Sequence, residues 1–160
     1  MSKAFDKTKG PGVYIPPPLI YALTFIAAIF LQKSVPIPEN VFHTAATKII
    51  GIFFIVTALL FLFKSLRQFF RTKNTVILIK PATSLQTTGI YSITRNPMYV
   101  GLALVYLGIT GFIGNWWNTI LFPLLLLIVQ QYIIKPEENY LKHEFGQEYE
   151  KYKKAVRRWL

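Results

Sequence analysis

Cysteine is absent from the 160 residues. That excludes disulfides, thiolate metal sites and a cysteine nucleophile. Histidine is nearly absent: His43 falls at the far end of an apolar segment and His143 in a polar tail, so neither is placed as a catalytic base. Acidic residues number seven against eighteen basic ones, and no cluster of them has the spacing of metal ligands, so no metal is expected. The chain also lacks H-E-x-x-H, P-loop, G-x-S-x-G and Rossmann fingerprints, which argues against a soluble nucleotide-binding domain.

What is present is apolar. Hydrophobic residues make up 52% and aromatic ones 16%, too oily for an ordinary soluble domain and suited to a bilayer protein with interfacial aromatic belts. The net charge of +11 would ordinarily point to nucleic acid. Here the basic residues flank long apolar runs, where they set topology and meet anionic lipid head groups, so no nucleic-acid partner is expected.

The chain reads as all-α and polytopic, a single membrane-embedded domain over 1–160 with about four transmembrane helices and a cytosolic amphipathic C-terminal tail. The uncharged stretch Gly10–Gln32 opens with Pro16-Pro17-Pro18, which fits a helix start, and yields a span over about 17–32. No small-residue cleavage site follows it, so it is read as a span rather than a signal peptide. Ile49–Phe63, fifteen residues between Lys48 and Lys64, is short for a crossing and becomes long enough over 41–63 if both lysines snorkel. Asn96–Ile134 carries no charge and exceeds one span. Gly111, Gly114 and Asn115 interrupt it, giving helices over 98–113 and 116–134 with Trp116 and Trp117 anchoring the turn.

Charge asymmetry orients these spans. Lys3, Lys7 and Lys9 precede the first. Lys64, Arg67, Arg71, Lys73, Lys80 and Arg95 lie between the second and third with no acidic residue among them. The tail adds Lys135, Lys142, Lys151, Lys153, Lys154, Arg157 and Arg158. The other two connections hold only Lys33 and Lys48, which places both termini and the basic connection in the cytosol. In the tail Leu141, Phe145, Tyr149, Tyr152, Val156 and Trp159 recur at steps of three or four, an apolar helical stripe that Gly146 divides or kinks.

Three clusters could carry chemistry. Thr83-Ser84-Leu85-Gln86-Thr87-Thr88-Gly89-Ile90-Tyr91 is either a solvated loop or a row of hydroxyls and amides presented to a ligand. In Arg95-Asn96-Pro97-Met98-Tyr99, Asn96 can cap the helix that Pro97 starts, and a helix start beside an arginine suits a carboxylate. A plain cap with a positive-inside arginine accounts for the same residues. Glu137-Glu138 follows Lys135-Pro136 on the membrane face of Arg95. It serves either as favourable charge at a helix start or as an acceptor for ribose hydroxyls or an amino group.

Thr88-Gly89-Ile90-Tyr91, Arg95-Asn96-Pro97-Met98-Tyr99-Val100-Gly101, Glu137-Glu138-Asn139-Tyr140-Leu141 and Phe145-Gly146-Gln147-Glu148-Tyr149 with Tyr152 together resemble the isoprenylcysteine carboxyl methyltransferase family. The broader set includes the phospholipid methyltransferases. The resemblance covers roughly residues 75–160. It implies a membrane-embedded enzyme that encloses S-adenosyl-L-methionine between the last spans and the tail, in segments 75–97 and 135–160. On that basis the cofactor contacts fall on Thr83, Ser84, Leu85, Gln86, Tyr91, Asn96, Pro97, Met98, Tyr99 and Glu137, and the catalytic roles on Arg95 and Glu138. The chain departs from the family at Asn96, where many members have histidine. It also lacks the arginine that prenylcysteine enzymes carry shortly before the paired glutamates, having Gln131-Tyr132-Ile133-Ile134-Lys135 there.

The expected substrate is a lipophilic small molecule or lipid arriving sideways from the bilayer. A carboxylate is already nucleophilic at pH 7, whereas an ammonium must first lose a proton, which favours O-methylation of an isoprenylcysteine-like carboxylate. N-methylation of a phospholipid head group is the alternative. A non-catalytic four-span protein binding anionic lipid, and a larger nicotinamide-dependent membrane reductase, are the other readings. Arg158 could close over the ligand or contact lipid phosphate, and the second is the favoured reading.

Overall fold

In a computed structural model, which describes residues 10–72 and 81–160, the chain is helical and no strand occurs among the described residues. Helix α1 spans Pro17–Ser34, α2 Ala45–Arg71, α3 Pro97–Ile113, α4 Trp116–Val129 and α5 Lys135–Ala155. Among the described residues, α1, α2 and the run beginning at Trp116 are long and apolar enough to cross a membrane, and α3 is a shorter apolar helix. On α2, Ile49, Phe53 and Phe63 are about two-thirds exposed, an outward apolar surface that belongs in lipid rather than water. The protein is an all-α polytopic membrane protein.

Local chemistry sets the helix ends. Pro17 starts α1 and Pro97 starts α3, where a missing amide donor costs nothing. Thr44 caps α2 by accepting from the Thr47 amide at 3.3 Å, so this helix begins at Ala45 rather than near Val41; residues Asn40–His43 form a separate 3-10 turn. It also runs on to Arg71, two turns past the expected end, carrying Lys64, Arg67 and Arg71 into its last turns. Cations there complement the negative end of the helix dipole. Gly114 ends α3 in the left-handed conformation (φ 75°), and Asn115 caps α4 by accepting from Trp117 N at 2.8 Å.

The α4–α5 junction does not break. Pro136 cannot donate to the carbonyl four residues back, and the chain widens just before it into one π-helical turn, Gln130–Ile134, in which Lys135 N–H bonds the Gln130 carbonyl. The tail therefore leaves the bundle as a continuation of α4. At Gly146 (φ 51°, ψ −120°) α5 kinks, as its sequence suggests.

Helices pack as two pairs, α2 on α3 and α1 on α4. In the first pair a Cβ at Gly108 or Gly111 would lie 3.0 Å from the backbone carbonyl of Gly51 or Thr47, so the glycines are what let the backbones touch. Gly111, expected to break the helix, thus lies inside α3 as a packing residue, and Gly114 alone makes the turn. Asn115 Nδ2 donates to the Ala28 carbonyl at 3.2 Å and ties the second pair. Trp117 Nε1 donates to the Val35 carbonyl at 2.8 Å, and Phe42 packs on Trp116. The two poorly charged connections therefore meet at one end of the bundle. The basic end of α2, the start of α3 and all of α5 gather at the other.

Candidate active site

At the basic end, the loop before α3 and the tail after α4 fold onto one another. The Tyr140 hydroxyl accepts from the Ala82 amide at 3.0 Å. Gln68 Nε2 on α2 donates to Gln86 Oε1 and Thr88 Oγ1, both at 3.2 Å. Ser65 and Tyr91 share a buried hydroxyl pair at 2.8 Å, and Tyr152 OH donates to the Tyr91 carbonyl at 2.7 Å. The last turn of the tail closes the arrangement. Arg95 N donates to the Arg157 carbonyl at 2.9 Å, and the Arg158 carbonyl accepts from Thr94 Oγ1 at 3.0 Å and Asn96 Nδ2 at 2.9 Å. The Asn96 side chain is therefore bonded to the tail and makes no helix-capping bond, contrary to the sequence reading. Trp159 Nε1 anchors the end of the chain on Gln130 Oε1 at 3.0 Å.

These contacts enclose a cavity of about 500 Å³, within the range of small-molecule sites. One wall is polar: Ser84, Gln86, Arg95, Asn96, Glu137 and Glu138, with Tyr91, Tyr99, Tyr140, Tyr149 and Tyr152. The rest of the lining is mostly apolar, from Leu62 and Phe69 on α2, Leu102 on α3, and the segment through Val13 and Ile15 to Pro18 at the start of α1. Ala82, Leu85, Pro97, Met98 and Leu141 also line it. Every site residue read from the sequence lines this cavity except Thr83, which belongs to the same loop. The start of the 75–97 segment, with Lys73 and Lys80, and the N-terminal Lys3, Lys7 and Lys9 lie outside the described residues. His143 does not line the cavity.

Two carboxylates stand side by side with different partners. Glu137 Oε2 accepts from Tyr99 OH at 2.8 Å, and the exposed part of its side chain faces the cavity. Burial pushes its pKa up to about 7; the Tyr99 bond opposes this and the Glu138 charge adds to it. Glu138, expected to act in the chemistry, is engaged by two arginines. Arg158 Nε and Nη2 grip its two oxygens at 2.9 and 2.7 Å, and Arg95 Nη2 reaches Oε1 at 3.1 Å. Arg158 thus points inward onto a carboxylate and not outward to lipid phosphate. Arg95 also donates from Nη1 to the Tyr149 hydroxyl at 3.0 Å, while its buried Nε has no partner. Burial raises the Tyr91 and Tyr152 hydroxyls well above their usual range and Tyr149 to about 12. These phenols are donors at neutral pH, not bases.

The profile of the phospholipid methyltransferase family matches residues 46–148, more than half of the chain and most of the cavity wall. The chain belongs to the phospholipid methyltransferase family. It is a membrane methyltransferase, and most of the cavity lining falls within the matched segment. An uncharacterized protein of Haemophilus influenzae is 44% identical over 66 residues, 39% of this chain and all of that protein. The protein-S-isoprenylcysteine O-methyltransferase of Schizosaccharomyces pombe is 43% identical over 72 residues, 45% of this chain and 30% of that enzyme. The chain thus spans less than a third of the Schizosaccharomyces relative it matches. No solved structure matches it. The sequence did not single out as a site the lining residues outside the family match, the segment from Pro11 to Pro18 with Tyr149 and Tyr152, nor Leu62, Phe69, Ala82, Leu102, Tyr140 and Leu141 within it. The tyrosines had a signal, since a phenol in an apolar helical stripe carries a polar tip that a purely packing residue does not need. Nothing local marks the N-terminal segment as a wall.

Proposed function

We propose that the protein is an S-adenosyl-L-methionine-dependent methyltransferase acting on a lipophilic substrate, with O-methylation of an isoprenylcysteine-like carboxylate as its reaction. The observation that carries this reading is one cavity at the basic end of the bundle, lined both by charged and tyrosine side chains and by apolar ones. The polar wall suits S-adenosylmethionine. Arg95 Nε is a buried donor without a partner and fits a carboxylate. Glu137 can accept from ribose hydroxyls or an ammonium, and the ring faces of Tyr91 and Tyr99 suit a cation. When bound, this group supplies an electrophilic methyl on a sulfonium sulfur. The chain's own residues bind and orient: Arg95 holds an anionic end, the tyrosines and Glu137 hold cationic and hydroxyl groups, and the apolar wall excludes water and aligns the acceptor.

Charge favours a carboxylate acceptor. Glu138 is tied to two guanidinium groups and is no free base. A carboxylate needs no base. We further place both termini and the cavity mouth in the cytosol across four spans, with the acceptor arriving from the bilayer. The second reading, N-methylation of a phospholipid amine, draws on Glu137, whose raised pKa lets it take a proton near neutrality.

Calorimetric titration in nanodiscs with S-adenosylmethionine and S-adenosylhomocysteine tests the site. Glu137→Ala and Arg95→Ala should each weaken binding at least tenfold, about 1.4 kcal/mol. No binding by the unaltered protein sinks the proposal. Labelled methyl transfer to a farnesylated cysteine analogue and to phosphatidylethanolamine, run in parallel, decides between the two acceptors.

A further inference from the structure

Three groups meet behind the polar wall, and only two of them face the cavity. Arg95 and Glu138 line it, whereas Arg158 does not. Arg158 nevertheless makes the stronger claim on Glu138, with two short bonds to both oxygens against the single 3.1 Å contact from Arg95. Planar guanidinium and carboxylate groups pair best through two parallel bonds. With Arg158 in place that geometry is taken, and Arg95 keeps its Nε–H unspent although its side chain is only 7% exposed. With Arg158 gone, Glu138 would be free to form the same fork with Arg95 through Nε and Nη2. The charge summed over these three groups would also fall from one net positive to zero, weakening the attraction for an anion.

We propose that Arg158 is a positioning residue: it holds Glu138 away from Arg95, and so keeps the Arg95 guanidinium available for a carboxylate in the cavity. The inference rests on the methyl-transfer reading of the site, and Arg158 lies outside the segment matched by the family. Its side chain acts separately from its backbone. The Arg158 carbonyl makes the bonds to Thr94 and Asn96, so a side-chain substitution leaves that fastening in place. The carboxylate could be that of the cofactor's amino-acid end or that of the acceptor, and both require the same free donor.

The test uses the full chain in nanodiscs with Arg158→Ala, Arg158→Lys and the double variant Arg158→Ala/Glu138→Gln, each checked by thermal unfolding. Two ligands are titrated: S-adenosylhomocysteine, and 5′-methylthioadenosine, which lacks the amino-acid end. Arg158→Ala should weaken S-adenosylhomocysteine about tenfold and leave 5′-methylthioadenosine unchanged. Arg158→Lys, which cannot fork, should fall between. Removing the Glu138 charge as well should restore most of the loss, because Arg95 is freed again. If the carboxylate is the acceptor's, S-adenosylhomocysteine binding holds while KM for the farnesylated cysteine analogue rises about tenfold at constant kcat, and the double variant recovers it. Equal weakening of both ligands, no effect on ligands or acceptor, or a double variant no better than Arg158→Ala overturns the proposal. Failure of the unaltered protein to bind either ligand is a separate result, and it sinks the proposed function itself.

Discussion

Glu137 and Glu138 are adjacent in sequence and chemically equivalent, yet the fold gives them opposite tasks. Glu138 is neutralised by Arg95 and Arg158, while Glu137 has one hydroxyl partner and a pKa pushed up to about 7. A folded-state pKa above the unfolded value favours the protonated carboxyl. Its stabilising contribution is full below about 4.5 and is lost as pH rises through about 7. Glu137→Gln should therefore raise the melting temperature of the ligand-free protein by a few degrees at pH 8 and leave it unchanged at pH 4. Ligand binding should run the other way. If ionised Glu137 accepts the cofactor's donors, affinity for S-adenosylhomocysteine rises between pH 6 and pH 8, and Glu137→Gln flattens that rise. A pH-independent affinity in the unaltered protein would remove Glu137 from the binding set. The pair was legible in the sequence as carboxylates at a helix start. The division of labour was not, because it depends on Arg158, twenty residues downstream, folding back on one of the two.

The elements that shape the site are held by a few backbone devices. Gly146 adopts φ 51° and ψ −120°, and a Cβ there would meet nothing within 4 Å. Alanine at this position meets only the backbone cost, roughly 1–3 kcal/mol. Relaxing that strain would straighten α5 and swing Tyr149 and Tyr152 away from Arg95 and Tyr91. Gly146→Ala should thus lower the melting temperature and also weaken S-adenosylhomocysteine binding at temperatures where the variant is still folded. A variant that melts early but binds normally would show that the kink serves stability alone. Helix existence and order followed from charge gaps, prolines and the Gly114-Asn115 turn. The ends of α2 and the end of α4 did not: Thr44 moved the start of α2, the basic turns through Arg71 extended it, and the π-helical turn before Pro136 fused α4 to α5. Each depends on where a side chain or carbonyl finds its partner, which hydropathy does not record.

At the scale of the whole molecule the fold separates two ends. Trp116, Trp117, Val35 and Phe42 meet at the weakly charged end, and the cavity, the loop before α3 and the tail share the basic one. This separation is the physical content of the charge count read from the sequence, since basic residues resist transfer across the membrane and stay in the cytosol. The cavity's apolar wall was less legible, because the segment from Pro11 to Pro18 acquires its role only by lining the same cavity as Leu62 and Leu102. Orientation is open to direct measurement because the chain has no cysteine. Lys154→Cys, exposed on the tail, and Asn40→Cys, exposed in the connection between α1 and α2, each introduce a single thiol. With both termini cytosolic, a membrane-impermeant maleimide added to intact cells, or to sealed vesicles of known sidedness, should label the second from the non-cytosolic side only. It should label the first from the cytosolic side only. The same orientation puts the cavity mouth where S-adenosylmethionine is made, so labelling of Lys154→Cys from the non-cytosolic side would count against the cofactor as well as the topology.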